Sequence, residues 1–551
     1  MNSRLILKHI LILIFISWVF FMLGNGLLSL TNPDEVFYTQ IAKEMVKHKT
    51  WVVPYLFDQP QFEKPILTYW LLRIGFILFG VSAFSARFFP AFFAGIGVLA
   101  VYLLGIAGLK DERKAFWGAL VLASSGLYIG LARTVFTDMI FSVLILLSLA
   151  AFFWAYVNTN RKSIGIILCF VFSGLAVLAK GPLGFLIPIS AILLFLIIRK
   201  DLKFLFFRYC ALGFLFFLII AVPWYIFMVK KFGNSFVQEF FYNDHMRRIF
   251  EAEHPRNDSW YFYPASMILG MFPWCLYIIA SLFYLFKRLK EKNGLAVYLF
   301  LSCWILATLI IFQIAHSKLV SYTFPVFFAL AVIAGDFIIT ALLRNLRLIY
   351  LITITSWCIL LLLPLALIIG SAKYSMYFSS RNIIYAFSLL YYLVFIPLVL
   401  LVIFKKKLFF GTALLAIQVP LFFFFALFIS GGFKAYVSGE YACEYLLKNY
   451  TVDNTILCSK FLVRGVRYYT DKDVAVVKMG GPPFFSPHPI PYLDSDAKVA
   501  GFLKKQPQTY CILNKSSLID LERICSNNKF KIEILNKIGD ENIVRVISNL
   551  D

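Results

Sequence analysis

The sequence predicts an α-helical polytopic membrane protein that ends in a small extracytoplasmic α/β domain. Three observations lead there. The 551 residues are 61% hydrophobic and only 15% charged, whereas soluble domains carry roughly a quarter charged residues, and mean hydropathy is +0.81. Apolar stretches near the span length of about 20 residues recur along the chain. From about Lys434 onward the composition turns polar.

Thirteen spans fit, at 11–29, 88–109, 115–132, 139–157, 164–179, 183–198, 209–229, 263–286, 295–315, 319–342, 348–370, 383–404 and 408–430. Segment 66–80 is also apolar but abuts the second span, so it reads as interfacial or as the start of that span. Met1–Phe20 has the look of a signal peptide, yet no small-residue cleavage site follows, which favours an uncleaved first helix. Residues 1–430 therefore read as the membrane domain and 431–551 as the external one.

Basic residues mark every second loop: Lys110, Arg113 and Lys114; Arg161 and Lys162; Arg199, Lys200, Lys203 and Arg208; Lys287, Arg288, Lys290 and Lys292; Arg344 and Arg347; Lys405, Lys406 and Lys407. With Arg4 and Lys8 they define a cytoplasmic face. The net charge of +23 is thus a topology signal and excludes nucleic acid as a partner. Thirteen crossings place the tail outside. Its short β-branched runs, Thr455–Leu457, Val474–Val477 and Ile543–Ile547, suggest a compact α/β fold. Cys443, Cys458, Cys511 and Cys525 lie there, where an oxidising compartment allows one or two disulfides.

The outward loops differ in kind from the inward ones. The first holds Asp34 and Glu35, a helix-compatible stretch to Lys47, and Glu63-Lys64-Pro65. A carboxylate there can take a proton or orient an acceptor; Asp34 after Pro33 equally suits a helix N-cap. Lys64 offers an ammonium to a phosphate, or else an interfacial ion pair with Glu63. Asp138 borders an apolar run and needs a partner, for which Arg133 is the obvious choice. Lys180-Gly181-Pro182 and His316-Ser317-Lys318 are outward turns whose lysines run against the charge bias. The fourth loop combines Asp244, His245, Arg247, Arg248, Glu251, Glu253, His254 and Arg256 with an aromatic run, Trp260 to Tyr263. Arginines suit phosphate, and two histidines near acids suit zinc, although no compact ligand spacing occurs.

Three stretches form a pattern: Pro33-Asp34-Glu35 with Tyr38, Ile41, Ala42, Glu44 and Met45; then Trp51, Val53, Pro54 and Leu56; then Phe62-Glu63-Lys64-Pro65-Ile66 with Tyr69-Trp70. This resembles the start of the bacterial aminoarabinose transferases, members of the protein mannosyltransferase-like integral-membrane glycosyltransferases. The likeness continues through Thr137-Asp138, Ala179-Lys180-Gly181, Asp244 to Trp274, and Ser317-Lys318 with Tyr322 and Pro325. It covers roughly residues 1–430; the tail shows no recognisable motif.

The resemblance implies interfacial helices in the first outward loop and an active site on the periplasmic face of the bacterial inner membrane. It implies a polyprenyl-phosphate sugar donor such as undecaprenyl phosphate-linked aminoarabinose, and lipid A or another envelope molecule as acceptor. Asp34 matches the family's first-loop acid, Asp138 its second acid and Lys64 its donor-phosphate lysine; these three are the candidate catalytic residues. Glu63 and His254 match positions that can bind zinc. The candidate donor-phosphate and substrate contacts are Glu35, Tyr38, Lys180, Arg247, Arg248, Arg256, Lys318 and Tyr322. Two departures bear on recognition, since the family often has a basic residue where Phe37 stands and Lys- or Arg-like character at His316. A lipid-linked sugar flippase, a transferase with a protein or glycan acceptor, and a scaffold that only binds lipid-linked sugars remain alternatives. A transporter would place charges at mid-membrane on broken helices, whereas here they crowd one face.

Overall fold

The structure, a computed structural model, describes residues 2–548 except 254, 292–295, 379 and 480–487. Two residues singled out above, His254 and Lys292, therefore lie outside the described residues. Among those described, ten helices are long and apolar enough to cross a membrane, or twelve if each of two bent pairs is one span. The expected thirteen is not reached for a geometric reason. Leu183–Ile198 has 16 residues, which at 1.5 Å per residue gives about 24 Å, short of the ~30 Å hydrocarbon core. Glu112–Ala123 and Gly126–Ala132 meet at 65°, and Phe262–Gly270 and Cys275–Lys290 at 115°. The first span is also displaced from the expected 11–29: its helical turns run from Ser3 to Met22. Leu67–Phe79 is a separate helix that ends at Gly80, whose φ is +75°.

Close packing at the basic end of the bundle shows how small residues set the helix spacing. A Cβ at Gly335 would collide with the Gly118 backbone, so glycine lets Phe324–Leu343 lie directly against Glu112–Ala123. That approach brings Lys114 Nζ to 2.6 Å from the wholly buried Asp336, to which Tyr284 also donates at 3.0 Å. A charge buried in a span is tolerable only when paired in this way.

The first loop builds a helix, Asp34–Lys47, a short hairpin (Tyr55–Leu56 with Gln59–Pro60) and the Leu67–Phe79 helix. The tail forms a six-stranded sheet in the order Tyr492–Leu493, Val474–Val477, Ile456–Ser459, Gln508–Leu513, Glu541–Ile547 and Lys531–Ile538. The first four strands are parallel and the last two join antiparallel. All nine cysteines are free thiols; the four in the tail are buried and pack as small apolar groups rather than as disulfides.

The tail sits on the first loop. Arg467 reaches Asp58 and lies 3.7 Å from Glu44, and Lys43 pairs with Asp471 at 2.8 Å. Asn32 N donates to Val437 O at 3.1 Å, and Leu30 N to the Tyr469 hydroxyl at 3.1 Å. The tail therefore fixes the strand of chain that leads into Asp34.

Candidate active site

Lys64 follows the hairpin of the first loop, and its ammonium lies 2.7 and 2.6 Å from the two carboxylate oxygens of Asp244. Both residues are buried. Burial pushes the Asp244 carboxyl up, but Lys64 and Arg248 beside it outweigh that and hold it below its ordinary value. Arg248, one helical turn along, approaches Asp244 at 3.3 Å and Glu253 at 3.2 Å, and donates to the Tyr322 hydroxyl at 3.0 Å. The Tyr322 ring lies under Lys180 at 4.8 Å, and Lys180 pairs with Asp138 at 2.5 Å. One connected cluster thus runs Lys64, Asp244, Arg248, Tyr322, Lys180, Asp138, drawn from five separate parts of the chain.

Helix ends bring these groups together. Asp138 lies in the first turn of Thr137–Val157, Lys180 ends Lys162–Lys180, and Tyr322 opens the span Val320–Leu343. Gly181 adopts φ +113°, and a Cβ there would lie 2.6 Å from His245 Nε2; only glycine turns the chain so close to the fourth loop. The backbone of residues 316–317 donates to that loop, His316 N to Ile249 O at 3.2 Å and Ser317 N to Arg248 O at 3.1 Å. Lys318 is thereby held nearby, paired with Asp258 at 3.0 Å, which His316 contacts at 2.6 Å.

Tyr38 ties the first loop to this cluster. Its buried phenol is pushed well above its ordinary value, first by burial and then by the charges of Asp138, Asp34, Glu63 and Asp244. Four carboxylates from three loops therefore converge on one side chain. Glu63 is buried, accepts from Gln61 at 3.0 Å, and is pushed up by desolvation against the pull of Lys64. Asp34 occupies the first helical turn, and the residue at the cap is Pro33, so the N-cap alternative does not hold. Its carboxylate is half exposed and lies 3.7 Å from Arg464 of the tail.

Residues 6–235 match the family described as dolichyl-phosphate-mannose-protein mannosyltransferase. The match covers less than half of the chain. A relative named undecaprenyl phosphate-alpha-4-amino-4-deoxy-L-arabinose arabinosyl transferase 2, from Pseudomonas fluorescens, is 31% identical over 326 residues, 58% of this chain and 54% of its own. The similarly named enzyme of Erwinia tasmaniensis is 27% identical over 317 residues, 57% of this chain and 56% of its own. The match thus spans little more than half of these relatives' length. The crystal structure of ArnT from Cupriavidus metallidurans bound to undecaprenyl phosphate superposes with a TM-score of 0.77 at 18% identity, covering 97% of both chains. The fold of the whole chain is therefore shared, tail included.

The structure redistributes several roles. Asp138 pairs with Lys180, not Arg133; the Arg133 guanidinium instead caps the carbonyls of Phe20 and Leu23 at 2.9 and 2.7 Å and faces the Phe423 ring at 4.4 Å. Glu35 is wholly buried and accepts from Arg87, Val135 N, Thr31 N and the Thr31 hydroxyl. Its oxygens hold the loop to the bundle and are engaged with protein groups. Arg247 pairs with Glu251 at 2.6 Å, and Arg256 is exposed on the turn Pro255–Asn257 without an ion pair among the described residues. Neither is paired with a member of the cluster in the contacts of the described residues given above. As for zinc, Glu63 borders Lys64, Arg464 and Arg248, and among the described residues the group of three candidate ligands lies elsewhere, at Glu44, His48 and Asp58. There Asp58 is also paired with Lys47 and Arg467, while His254, the expected co-ligand of Glu63, lies outside the described residues. The sequence reading passed over Asp244 as Lys64's partner, Asp258 as Lys318's, and the tail residues Arg464 and His488.

Proposed function

We propose that this chain is a membrane glycosyltransferase that moves a sugar, aminoarabinose or a related one, from a polyprenyl-phosphate donor to lipid A or another envelope acceptor. The reading places it in the bacterial inner membrane with its site on the periplasmic face, opposite the basic loops. The names of the arabinosyl transferase relatives supply the donor class. The connected cluster from Lys64 to Asp138 carries the reading. It presents three cations at one end of an apolar bundle, where a lipid phosphate would arrive with its chain already in the bilayer.

Departure of the polyprenyl phosphate needs stabilisation of charge on its oxygens. Lys64 and Arg248 are fixed by Asp244, so they need little reorganisation when that charge develops. Asp138 holds the Lys180 ammonium over Tyr322 as a third contact. Asp34, half exposed on the first loop, faces the arriving acceptor. A hydroxyl acceptor would give it a proton, whereas an anionic phosphate acceptor would need it only for orientation. The deciding experiment incubates the purified chain in liposomes with undecaprenyl phosphate-linked aminoarabinose and lipid A, and reads acceptor mass. A sugar-sized gain that requires Lys64 supports the proposal. No gain from folded protein with any polyprenyl-phosphate sugar and envelope acceptor overturns it.

A further inference from the structure

We infer that Arg464, carried by the tail, is a positioning residue of the transfer site and holds the Asp34 carboxylate in its working orientation. The inference rests on the proposed transferase reading and adds a part contributed from outside the membrane domain.

Arg464 lies on the Val463–Thr470 helix and is fixed on three sides. Its Nε and Nη2 donate to His488 Nε2 at 3.2 and 3.0 Å, its guanidinium lies 4.5 Å over the Phe37 ring, and its Nη1 is 3.7 Å from Asp34. The Phe37 and His488 rings stack at 6.2 Å, so the arginine, the imidazole and a first-loop aromatic form one mount. Burial, with Arg464 and Lys460 nearby, holds the imidazole down at about 3, so it stays a neutral acceptor throughout the working range. Unlike a lysine, a planar guanidinium can stack, donate and face a carboxylate at once.

The helix beneath is equally constrained. A Cβ on Gly465 would collide with Asn32, two residues before Asp34, and Arg467 ties the same helix to Glu44 and Asp58. Arg464 also acts inward: its charge opposes the desolvation of Glu63. An ion pair with a partner as exposed as Asp34 contributes little to stability. Such firm mounting therefore fits orientation of the carboxylate better than support of the fold.

The test uses the full chain in liposomes with donor and acceptor as above, comparing Arg464→Ala and Arg464→Lys with the unaltered chain. The alanine variant is expected to keep its melting temperature and donor KM within roughly twofold while kcat falls by about ten- to a hundredfold. Millimolar guanidinium ion should restore part of that loss, and the lysine variant should fall between. Wild-type kcat in folded Arg464→Ala overturns the inference, as does an equal loss in both variants that guanidinium does not relieve. If the alanine variant does not fold, the lysine variant decides by the same kcat criterion. An inactive unaltered chain sinks the transferase reading itself; an active one indifferent to Arg464 sinks only this inference.

Discussion

Lys64 and Asp244 lie 180 residues apart in sequence and form a buried, two-pronged ion pair at 2.7 and 2.6 Å. Each supplies the other's counter-charge, so their removal is not symmetric. Lys64→Ala leaves Asp244 with Arg248 and the more distant His245 and should cost about 3–5 kcal/mol of stability. Adding Asp244→Asn should recover much of that, because no uncompensated charge is then buried. Transfer should stay down by about a hundredfold or more in both variants, since the cation facing the phosphate is gone. Thermal unfolding in detergent alongside the liposome assay checks both halves. A double variant with recovered activity would show that Lys64 serves the fold alone.

Tyr322 connects two cations by different parts of its side chain, hydroxyl to Arg248 and ring to Lys180. Tyr322→Phe removes the first link and keeps the second, so kcat/KM should fall by about tenfold or somewhat more, in line with one lost hydrogen bond to a charged group of about 1.5 kcal/mol. Tyr322→Leu also removes the ring beside Lys180, leaving that ammonium to Asp138, and should cost several times more. Equal losses would mean that the ring contact contributes nothing to the site.

How far the sequence revealed this site depended on whether the signal was local. Lys64, Lys180 and Arg248 stood out as cations in outward loops and Asp138 as an acid against an apolar run, and the structure brings all four into one cluster. Partners were harder to read. Arg133 is five positions from Asp138, yet the helix ends direct it to the carbonyls of Phe20 and Leu23, and the lysine 42 residues away takes its place. Glu35 looked like a site acid because it adjoins Asp34, but neighbouring positions on a helix point in different directions. The count of thirteen is not confirmed because Leu183–Ile198 is short for a span, and two further spans are bent by 65° and 115° at breaks, a feature that hydropathy does not register. Arg464 and His488 were illegible because nothing in the tail repeats a known pattern, and their importance arises only when the tail folds onto the first loop.

Glu35 offers a direct separation of scaffold from site. Burial pushes its carboxyl up, and Arg87 with backbone donors outweighs that and holds it below its ordinary value. Such a group contributes stability above the unfolded carboxylate's pKa of about 4.3 that is lost as pH falls through the lower folded value. Glu35→Gln should therefore lower the melting temperature at neutral pH, by about 3–5 kcal/mol in free energy, and flatten the acid limb of the stability profile. Transfer per folded molecule should stay within about threefold. A stable Gln variant with severely reduced kcat would return Glu35 to the list of substrate contacts.

Glu541 gives the opposite slope. Burial, then the neighbouring Asp540, raises its carboxyl to about 8, and its Oε2 has no hydrogen-bond partner among the described residues. A carboxyl whose folded pKa lies above its unfolded value contributes stability that is complete below the unfolded pKa of about 4.3 and disappears as pH rises through the folded one. The tail should therefore loosen toward mildly alkaline pH, and Glu541→Gln should remove that trend by taking away the ionisable group while leaving stability near pH 4 unchanged. Cys443 reports the event. Its thiol is free and wholly buried, and Glu541 is among the charges that raise it. Alkylation of Cys443, followed by mass spectrometry of tail peptides and corrected for the intrinsic pH dependence of thiol reactivity, should accelerate as pH rises toward about 8 and level off beyond it in the unaltered chain, and change much less in the Gln variant. Identical pH profiles in the two chains would refute a neutral, buried Glu541.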